Sequence, residues 1–333
     1  MRRLVLAPTA ITTSRLGFGC VRLTTHPTRS EAVRMLEHVF SLGITHFDVA
    51  RAYGFGRAEG ILGEFLRGKR RQVTVATKFG LQPPSGVAGS RLVIDLMKKV
   101  LGPFPSLLQR ARNRGASLTT SGVFTAQAAV QSLETSLREL QTDYIDILLL
   151  HEATAANAAN ADMVQALQKQ VELGKVRALG IGSSLDKLEG KTASLPALYQ
   201  VLQFENNASQ RNVPKIDDAK PRGLITHSVF QPSRALAKGI QSRPDTVRKY
   251  SAQLNVDLRD QEVVCSWLLR YALSANPAGV VLFASTVPEH ATNNARQEEL
   301  TQREVQQFAQ FVDEILSSSA VLAGGAPQGQ AAS

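Results

Sequence analysis

The stretch DYIDILLLHE, residues Asp143–Glu152, contains the apolar run ILLL and ends in a histidine and a glutamate. Four consecutive apolar residues cannot alternate between a core and solvent, so this run predicts a strand that is buried on both faces. The runs VTVA (Val73–Ala76) and VVLF (Val280–Phe283) repeat the pattern. Strands of this kind occur in parallel sheets with helices packed outside. We therefore predict an α/β fold.

Working outward, short apolar runs alternate with stretches of helical periodicity. The predicted strands are Arg15–Val21, Thr45–Phe47, Val73–Thr77, Tyr144–Leu149, Val176–Ile181, Tyr199–Phe204, Gly223–His227 and Gly279–Phe283. The predicted helices between them are Arg29–Ser41, Ala58–Leu66, Ala126–Leu140, Ala161–Leu173 and Gln261–Leu273. Eight strands with intervening helices fit either a closed (β/α)8 TIM barrel or a doubly wound sheet. An N-terminal hairpin, Leu4–Val5 against Ile11–Thr12, would plug the base of a barrel.

Two segments depart from this rhythm. Residues 81–124 form a long insertion after the third strand, rich in Pro, Gly and Ser around a predicted basic helix, Leu92–Val100. The insertion carries six basic residues and one acidic residue. Two interpretations stay open: a basic lid or docking surface for an anionic substrate or acidic partner, and a solvated loop. We predict one domain over residues 1–316 and a disordered tail over residues 317–333.

Composition narrows the function classes. The formal net charge is +10, but half of the excess lies in the insertion, and no RNP, KH or paired Cys/His motif is present; we therefore predict no nucleic-acid partner. The two cysteines, Cys20 and Cys265, are far apart, which argues against a disulfide framework or a zinc site and favours a reducing, cytoplasmic compartment. We predict no metal site. No apolar run approaches transmembrane length, and the apolar part of MRRLVLAPTA is too short for a secretion signal.

Polar residues lie where three predicted strands end. Strand two runs into Asp48, and Tyr53 follows five residues later; strand three ends at Lys78 and strand four at His151. Each residue alone is a weak signal, because such residues are commonly caps, solvated groups or packing groups. Barrel enzymes, however, place their sites at the carboxyl ends of the strands. Four polar groups on successive strands would therefore converge on one pocket.

These motifs resemble those of the aldo-keto reductase superfamily. The resemblance rests on DVARAYG (Asp48–Gly54), TK (Thr77–Lys78), LLLH (Leu148–His151) and GKVRALG (Gly174–Gly180), with Glu59 and Gly63 after the tyrosine. It runs from about residue 16 to residue 316, outside the insertion and the tail. It implies a TIM barrel and an NAD(P)H-dependent oxidoreductase that interconverts an alcohol and a carbonyl, in an aldehyde, a ketone or a sugar.

The resemblance implies a role for each of the four residues. Tyr53 would be the general acid and base, and a neighbouring Lys78 ammonium would lower its pKa from the ordinary value of about 10. Asp48 would pair with Lys78 and keep it charged. His151 would hydrogen-bond the substrate carbonyl and orient it. The glycines of GFGRAEG (Gly54–Gly60) do not form a dinucleotide loop, because their spacing and position differ from that motif.

At the nicotinamide end, the resemblance implies contacts from strands five and six. Gln203 matches the glutamine of the family's sixth strand. Where the family commonly has Ser-Asn, this chain has Gly182 and Ser183. Ser183 therefore offers fewer hydrogen-bonding groups than an amide would.

At the adenine end, this sequence departs from the pattern of the NADPH-selective members. Ala284 stands at the lysine position and His290 at the arginine position, which weakens the case for recognition of a 2′-phosphate. The hydroxyls of Ser285 and Thr286, the N-terminus of the next helix and Asn294 remain suited to the cofactor. Both NADP(H) and NAD(H) therefore stay open.

Two further functions also stay open. One is an NAD-linked sugar dehydrogenase that uses the same residues in the oxidative direction. The other is a nucleotide-sensing subunit with vestigial turnover, as in the potassium-channel β subunits of this fold. The sequence determines neither the substrate nor the oligomeric state.

Overall fold

The computed structural model of this chain describes residues 1–81, 122–216 and 221–317. Within these residues, eight strands close into a barrel in the order β10-β3-β4-β5-β6-β7-β8-β9. They are β3 (Leu16–Gly19), β4 (His46–Asp48), β5 (Thr74–Phe79), β6 (Ile145–His151), β7 (Val176–Gly182), β8 (Tyr199–Glu205), β9 (Gly223–His227) and β10 (Val280–Phe283). Pairing is parallel from β10-β3 through β7-β8. The predicted TIM barrel is confirmed, and the doubly wound alternative is wrong.

The predicted N-terminal hairpin is present with a different register. It consists of β1 (Arg3–Val5) and β2 (Thr12–Ser14), and Leu4 lies opposite Thr13. The sequence instead paired Leu4–Val5 with Ile11–Thr12. The structure leaves Ile11 out of the ladder because Ile11 and Leu6 both join the buried core cluster, and the backbone N–H of Leu6 donates to the carbonyl of Ile11 at 2.9 Å.

Helices follow most strands, and their ends agree closely with the helical periodicity of the sequence. They are α1 (Arg29–Ser41), α2 (Ala58–Leu66), α3 (Ala126–Leu140), α4 (Ala155–Ala158), α5 (Ala161–Glu172), α6 (Ser233–Ser242), α7 (Pro244–Leu254), α8 (Gln261–Ala275), α9 (Pro288–Ala295) and α10 (Gln302–Leu316). Helix α1 starts at a capping box between Thr28 and Glu31, which satisfies backbone N–H groups of its first turn. The expected helix Leu92–Val100, most of the basic insertion and the C-terminal tail lie outside the described residues.

The chain divides into two compact units. The first comprises residues Met1–Phe204, Ile216–Ile225 and Ala278–Ala295. The second comprises Glu205–Lys215, Thr226–Pro277 and the described residues from Arg296 onward, and within it α10 packs on α6, α7 and α8. Every predicted catalytic and cofactor-binding residue belongs to the first unit. Among the described residues, no helix has the length and apolarity that crossing a membrane requires.

Small residues on the inner faces of the strands let the barrel close. A side-chain carbon at Gly17 would lie 2.5 Å from Leu282 and 2.8 Å from the ring of His46. One at Gly180 would lie 2.4 Å from the carbonyl oxygen of Val201. Such distances are far inside van der Waals contact, so a larger residue would displace side chains at Gly17 and backbone at Gly180. Large side chains from the neighbouring strands fill the interior instead.

Candidate active site

The four predicted catalytic residues come from three adjacent strands of the barrel. Asp48 is the last residue of β4, Lys78 is the penultimate residue of β5, and His151 is the last residue of β6. Tyr53 begins a short 3-10 helix, Tyr53–Gly56, that follows β4. Because the strands pair in parallel, their carboxyl ends lie at the same end of the barrel. The structure therefore brings these side chains together.

Lys78 is the centre of this cluster. Its ammonium group donates to Asp48 Oδ1 at 2.6 Å, to the carbonyl oxygen of Val49 at 3.1 Å and to Tyr53 Oη at 3.3 Å. An ammonium has three donors, and each of them has a partner here. Lys78 is 2% exposed. A buried charge is tolerated when it is paired and hydrogen-bonded, and Lys78 meets both conditions.

The pKa of Lys78 is raised above its usual value. Burial by itself would lower this pKa, but the carboxylate of Asp48 and the phenol oxygen of Tyr53 raise it further than burial lowers it. The side chain therefore stays an ammonium at neutral pH.

The pKa of Tyr53 corrects a prediction. The sequence predicted a lowered pKa beside Lys78. In the structure the pKa of Tyr53 is raised, because burial of the phenol outweighs the ammonium, which acts in the opposite direction. Tyr53 is therefore a neutral phenol at physiological pH. Its oxygen accepts a hydrogen bond from Lys78, and the phenol can still donate its own proton.

His151 flanks the phenol. The rings of Tyr53 and His151 meet edge to face, with centroids 6.0 Å apart. His151 is half-buried. The next residue, Glu152, has a left-handed backbone (φ +60°), and its N–H donates to the carbonyl of Gly182 at 2.7 Å. This bend ends β6 directly after the imidazole.

The two residues predicted for the nicotinamide end lie side by side: Ser183 directly follows β7, and Gln203 is on β8. The backbone N–H of Ser183 donates to the carbonyl of Gln203 at 3.0 Å, and the Ser183 hydroxyl donates to the carbonyl of Ala153 at 2.8 Å. The resemblance implies only a cofactor contact for the side chain of Gln203. Its Nε2 donates to Asp48 Oδ2 at 2.7 Å, which joins this pair to the four-residue cluster.

The residues predicted for the adenine end form a second group: Ser285 and Thr286 lie between β10 and α9, and His290 and Asn294 lie on α9. Ser285 is buried, and its hydroxyl oxygen accepts from the backbone N–H of Val287 at 3.0 Å. Thr286 and Asn294 are half-buried, and His290 is exposed. The first turn of α9 carries Glu289, an acidic residue, which does not favour an additional phosphate.

The donor set fits a nicotinamide dinucleotide better at one end than at the other. Gln203 offers its amide oxygen and Ser183 its hydroxyl oxygen, and Gly182 leaves the amide accessible, since a side-chain carbon there would lie 3.2 Å from Gln203 Oε1. These groups suit a carboxamide. Residues 283–295 contain no lysine or arginine. This segment therefore supplies no lysine or arginine for a 2′-phosphate.

The sequence missed a buried network beside the cluster. Glu59 on α2 is 1% exposed, and its two oxygens accept from Arg51 Nη1 at 2.8 Å and from Thr77 Oγ1 at 2.7 Å. In the sequence, Glu59 stands out only as part of the motif after Tyr53. An acidic residue in the apolar helix AEGILGEFL (Ala58–Leu66) was the available signal. Cys20 is fully buried, and this burial raises the pKa of its thiol.

Comparison with known proteins identifies the family. The family model described as Aldo/keto reductase family matches residues 15–313. The chain is 31% identical to D-threo-aldose 1-dehydrogenase of a Pseudomonas species over 287 residues, 82% of each protein. It is 28% identical to Aldo-keto reductase YhdN of Bacillus subtilis over 238 residues, 67% of this chain and 61% of that protein. It is also 29% identical to Aldo-keto reductase yakc [NADP(+)] of Schizosaccharomyces pombe, over 70% of this chain and 62% of that protein. The chain thus spans under two thirds of the length of some relatives.

Solved structures share the barrel. The holo form of aldo-keto reductase AKR11C1 from Bacillus halodurans superposes with a TM-score of 0.70 at 19% identity, over 93% of this chain and 96% of that one. The glycerol dehydrogenase AKR11B4 from Gluconobacter oxydans gives a TM-score of 0.68 at 19% identity, over 99% of both chains. At these identities the likeness concerns the fold, while the family match rests on the sequence. The chain belongs to the aldo/keto reductase family.

Proposed function

We propose that this protein is an NAD(P)H-dependent oxidoreductase that interconverts a carbonyl and an alcohol, with Tyr53 as the general acid and base. One observation carries the proposal: the buried ammonium of Lys78 donates at once to Asp48 and to Tyr53 Oη. A lysine held this way, with its third donor on the backbone carbonyl of Val49, is fixed in position. It supports the phenol oxygen during any loss of its proton.

The proton chemistry follows from this arrangement. Burial keeps Tyr53 protonated in the resting protein, so its O–H is available to a substrate oxygen. When the proton leaves, negative charge develops on Oη, 3.3 Å from the Lys78 ammonium. Opposite charges at this distance attract strongly in a water-poor site. Lys78 thus stabilises the charge that appears during transfer, and Asp48 holds Lys78 in place.

His151 would complete the site on the substrate side. Its ring stands edge-on to Tyr53, so a carbonyl oxygen between the two side chains can accept hydrogen bonds from both. Two donors on one oxygen fix its orientation and stabilise the charge that develops on it.

The residues at the ends of β7, β8 and β10 would hold the dinucleotide. Ser183 and Gln203 would meet the carboxamide, and Ser285, Thr286, His290 and Asn294 would meet the adenine end. When bound, the nicotinamide supplies or accepts the hydride. The free thiols of Cys20 and Cys265 support a reducing, cytoplasmic location.

A second candidate, a sugar dehydrogenase working in the oxidative direction, has its own support. The relative named D-threo-aldose 1-dehydrogenase matches 82% of this chain. Residues 283–295 supply no lysine or arginine for a 2′-phosphate, a feature that favours NAD. The same side chains would serve, with Tyr53 accepting the proton from a sugar hydroxyl.

The Tyr53→Phe variant tests the proposal. Because phenylalanine has no proton to transfer, we expect kcat to fall by about 100- to 10,000-fold, while the dissociation constants of NADPH and NADH change little. Turnover would be measured on a panel of aldehydes, ketones and aldoses in both directions and with both cofactors. Better turnover with aldoses and NAD than with carbonyls and NADPH would favour the dehydrogenase.

The Tyr144→Phe variant is a matched control. Tyr144 lies at the opposite end of β6, where the guanidinium of Arg70 stacks on its ring at 3.8 Å, so this variant should retain turnover. Full turnover in Tyr53→Phe would remove the assignment of Tyr53. An inactive wild-type protein that binds cofactor would instead favour a nucleotide sensor.

A further inference from the structure

Asp48 is held by two donors from two different strands. Lys78 Nζ on β5 donates to Oδ1 at 2.6 Å, and Gln203 Nε2 on β8 donates to Oδ2 at 2.7 Å. Asp48 and Gln203 are each 3% exposed, and Lys78 is 2% exposed. A buried carboxylate needs donors on both oxygens, and these two side chains provide them. The Gln203 bond therefore completes the environment of Asp48.

The orientation of the Gln203 amide is constrained. The backbone of Gln203 is paired with Gly182, and its carbonyl accepts from the N–H of Ser183. Only the amide nitrogen can face Asp48, because the reversed amide would set Oε1 against a carboxylate oxygen. Oε1 therefore points away from Asp48, toward Gly182.

We propose that Gln203 is a positioning residue, which acts through Asp48 to hold the Lys78 ammonium against Tyr53. This inference rests on the proposed function. It goes beyond contact with the cofactor, because the same amide links the expected carboxamide pocket to the proton-transfer cluster. A cofactor bound at Oε1 would stiffen the amide and, through it, the carboxylate that aligns Lys78. Cofactor binding and alignment of the cluster would then be coupled.

The Gln203→Glu variant separates this role from a cofactor contact. It keeps an acceptor oxygen for the cofactor and replaces the Nε2 donor with a second carboxyl group beside Asp48. At pH 8 two carboxylates repel each other, so we expect kcat to fall by about 10- to 100-fold. As the pH falls to 5.5 the pair takes up a proton, since two carboxylates in one site cannot both ionise easily. The proton restores a donor between them, and the ratio of variant to wild-type kcat should rise at least about fivefold.

The Gln203→Leu variant is the matched control. It removes the donor without adding a titratable group, so its loss of kcat should stay constant between pH 5.5 and pH 8. A residue that only contacts the cofactor would raise the cofactor's dissociation constant in both variants. It would give no recovery of kcat in acid.

A second measurement needs neither cofactor nor turnover. The melting temperature of the cofactor-free Gln203→Glu protein should lie below that of the wild type at pH 8, and the gap should narrow at pH 5.5. A pH-independent kcat ratio together with a constant gap in melting temperature would overturn the proposal. An inactive wild-type protein would count against the proposed function, while the melting measurement would still decide whether Gln203 supports Asp48.

Discussion

At the scale of single residues, His46 is a polar group enclosed in the barrel. It is fully buried on β4, and neither of its ring nitrogens has a hydrogen-bond partner among the described residues. Its ring lies against the bare backbone of Gly17. Burial lowers the pKa of His46 to about 4, so the ring stays neutral over the physiological range. Burying these two nitrogens without hydrogen bonds lowers the free energy of unfolding.

This burial predicts a loss of stability in acid. In the unfolded chain a histidine titrates near pH 6.5, whereas the folded His46 titrates at about 4. Between pH 6.5 and pH 4 the unfolded state binds a proton at this histidine and the folded state does not. The free energy of unfolding therefore falls as the pH falls through this range. Between pH 7.5 and pH 5 this linkage amounts to about 2 kcal/mol.

The His46→Leu variant should lack this acid sensitivity. Its unfolding free energy in urea should fall by about 2 kcal/mol less than that of the wild type between pH 7.5 and pH 5. At pH 7.5 it should equal or exceed the wild type, because two unpartnered nitrogens are gone. The exposed His290, changed to Gln, is the control and should follow the wild-type curve. Parallel curves for His46→Leu and the wild type would contradict the argument.

The residues of the candidate site divide according to how local their signal is. Asp48, Lys78 and His151 could be predicted from the sequence because each ends a buried strand, and parallel strands end together. The bond between Gln203 and Asp48 joins residues 155 positions apart. It depends on barrel closure and on an amide orientation, and no local pattern records either. Similarly, the pKa of Tyr53 is raised because the phenol is buried, and a sequence motif does not show how deeply a side chain is buried.

At the scale of elements, α2 is joined to the two segments that carry Tyr53 and Lys78. Glu59 on this helix accepts from Arg51 at 2.8 Å, two residues before Tyr53, and from Thr77 at 2.7 Å, next to Lys78. Glu59 is 1% exposed and Arg51 is 17% exposed, so little solvent screens their attraction. The helix therefore sets the spacing between the loop and the strand.

The Glu59→Gln variant should lose stability and turnover together. Removing one charge of a buried pair leaves the other uncompensated, at a cost of about 3 kcal/mol. We also expect kcat to fall about tenfold or more, because the spacing between Tyr53 and Lys78 would no longer be fixed. Urea unfolding and steady-state kinetics measure both. Should that variant not fold, Thr77→Val removes a single hydrogen bond and should cost about 1 kcal/mol with a smaller loss of kcat.

The same helix offers a matched control. Glu64 pairs with Arg29 at 2.6 Å, but the two side chains are 37% and 46% exposed. An exposed pair contributes under about 1 kcal/mol, so Glu64→Gln should be nearly neutral. If the Glu59→Gln and Glu64→Gln variants lost equal amounts of unfolding free energy, burial of the Glu59 pair would add nothing to its contribution.

Element boundaries were predictable where apolar periodicity coincides with burial. Strand β9 has the predicted bounds, and β7 extends one residue beyond them. Strand β3 was predicted to run to Val21, but it ends at Gly19 and a 3-10 helix begins at Cys20. Val21 is apolar yet 48% exposed, so its hydrophobicity reflects no core contact. One exposed apolar residue directly after a strand therefore made the strand look longer in the sequence than it is in the structure.

At the scale of the whole molecule, the N-terminal hairpin contributes to the barrel core. Leu6 and Ile11 belong to one buried cluster with residues from six strands: Ala76 on β5, Ile147 and Leu149 on β6, Ala178 on β7, Val201 on β8, Ile225 on β9, and Val280 and Leu282 on β10. A side-chain carbon at Gly223 would lie 2.6 Å from Leu6, so Leu6 fits closely against the start of β9. The first residues of the chain therefore fill the barrel that later residues enclose.

This packing predicts that Leu6→Ala destabilises the barrel far more than a change on the solvent side of the hairpin. Truncation of a fully buried leucine removes apolar contacts and leaves a cavity, at a cost of about 3 kcal/mol. Val5 is 56% exposed on the adjoining strand, so Val5→Ala should cost under about 1 kcal/mol. Urea unfolding followed by far-ultraviolet circular dichroism would measure both. If the hairpin only rested on a barrel that is stable without it, the two variants would unfold at nearly the same urea concentration as the wild type. A midpoint lowered for Leu6→Ala alone would mean that the hairpin contributes to the stability of the barrel through its buried leucine.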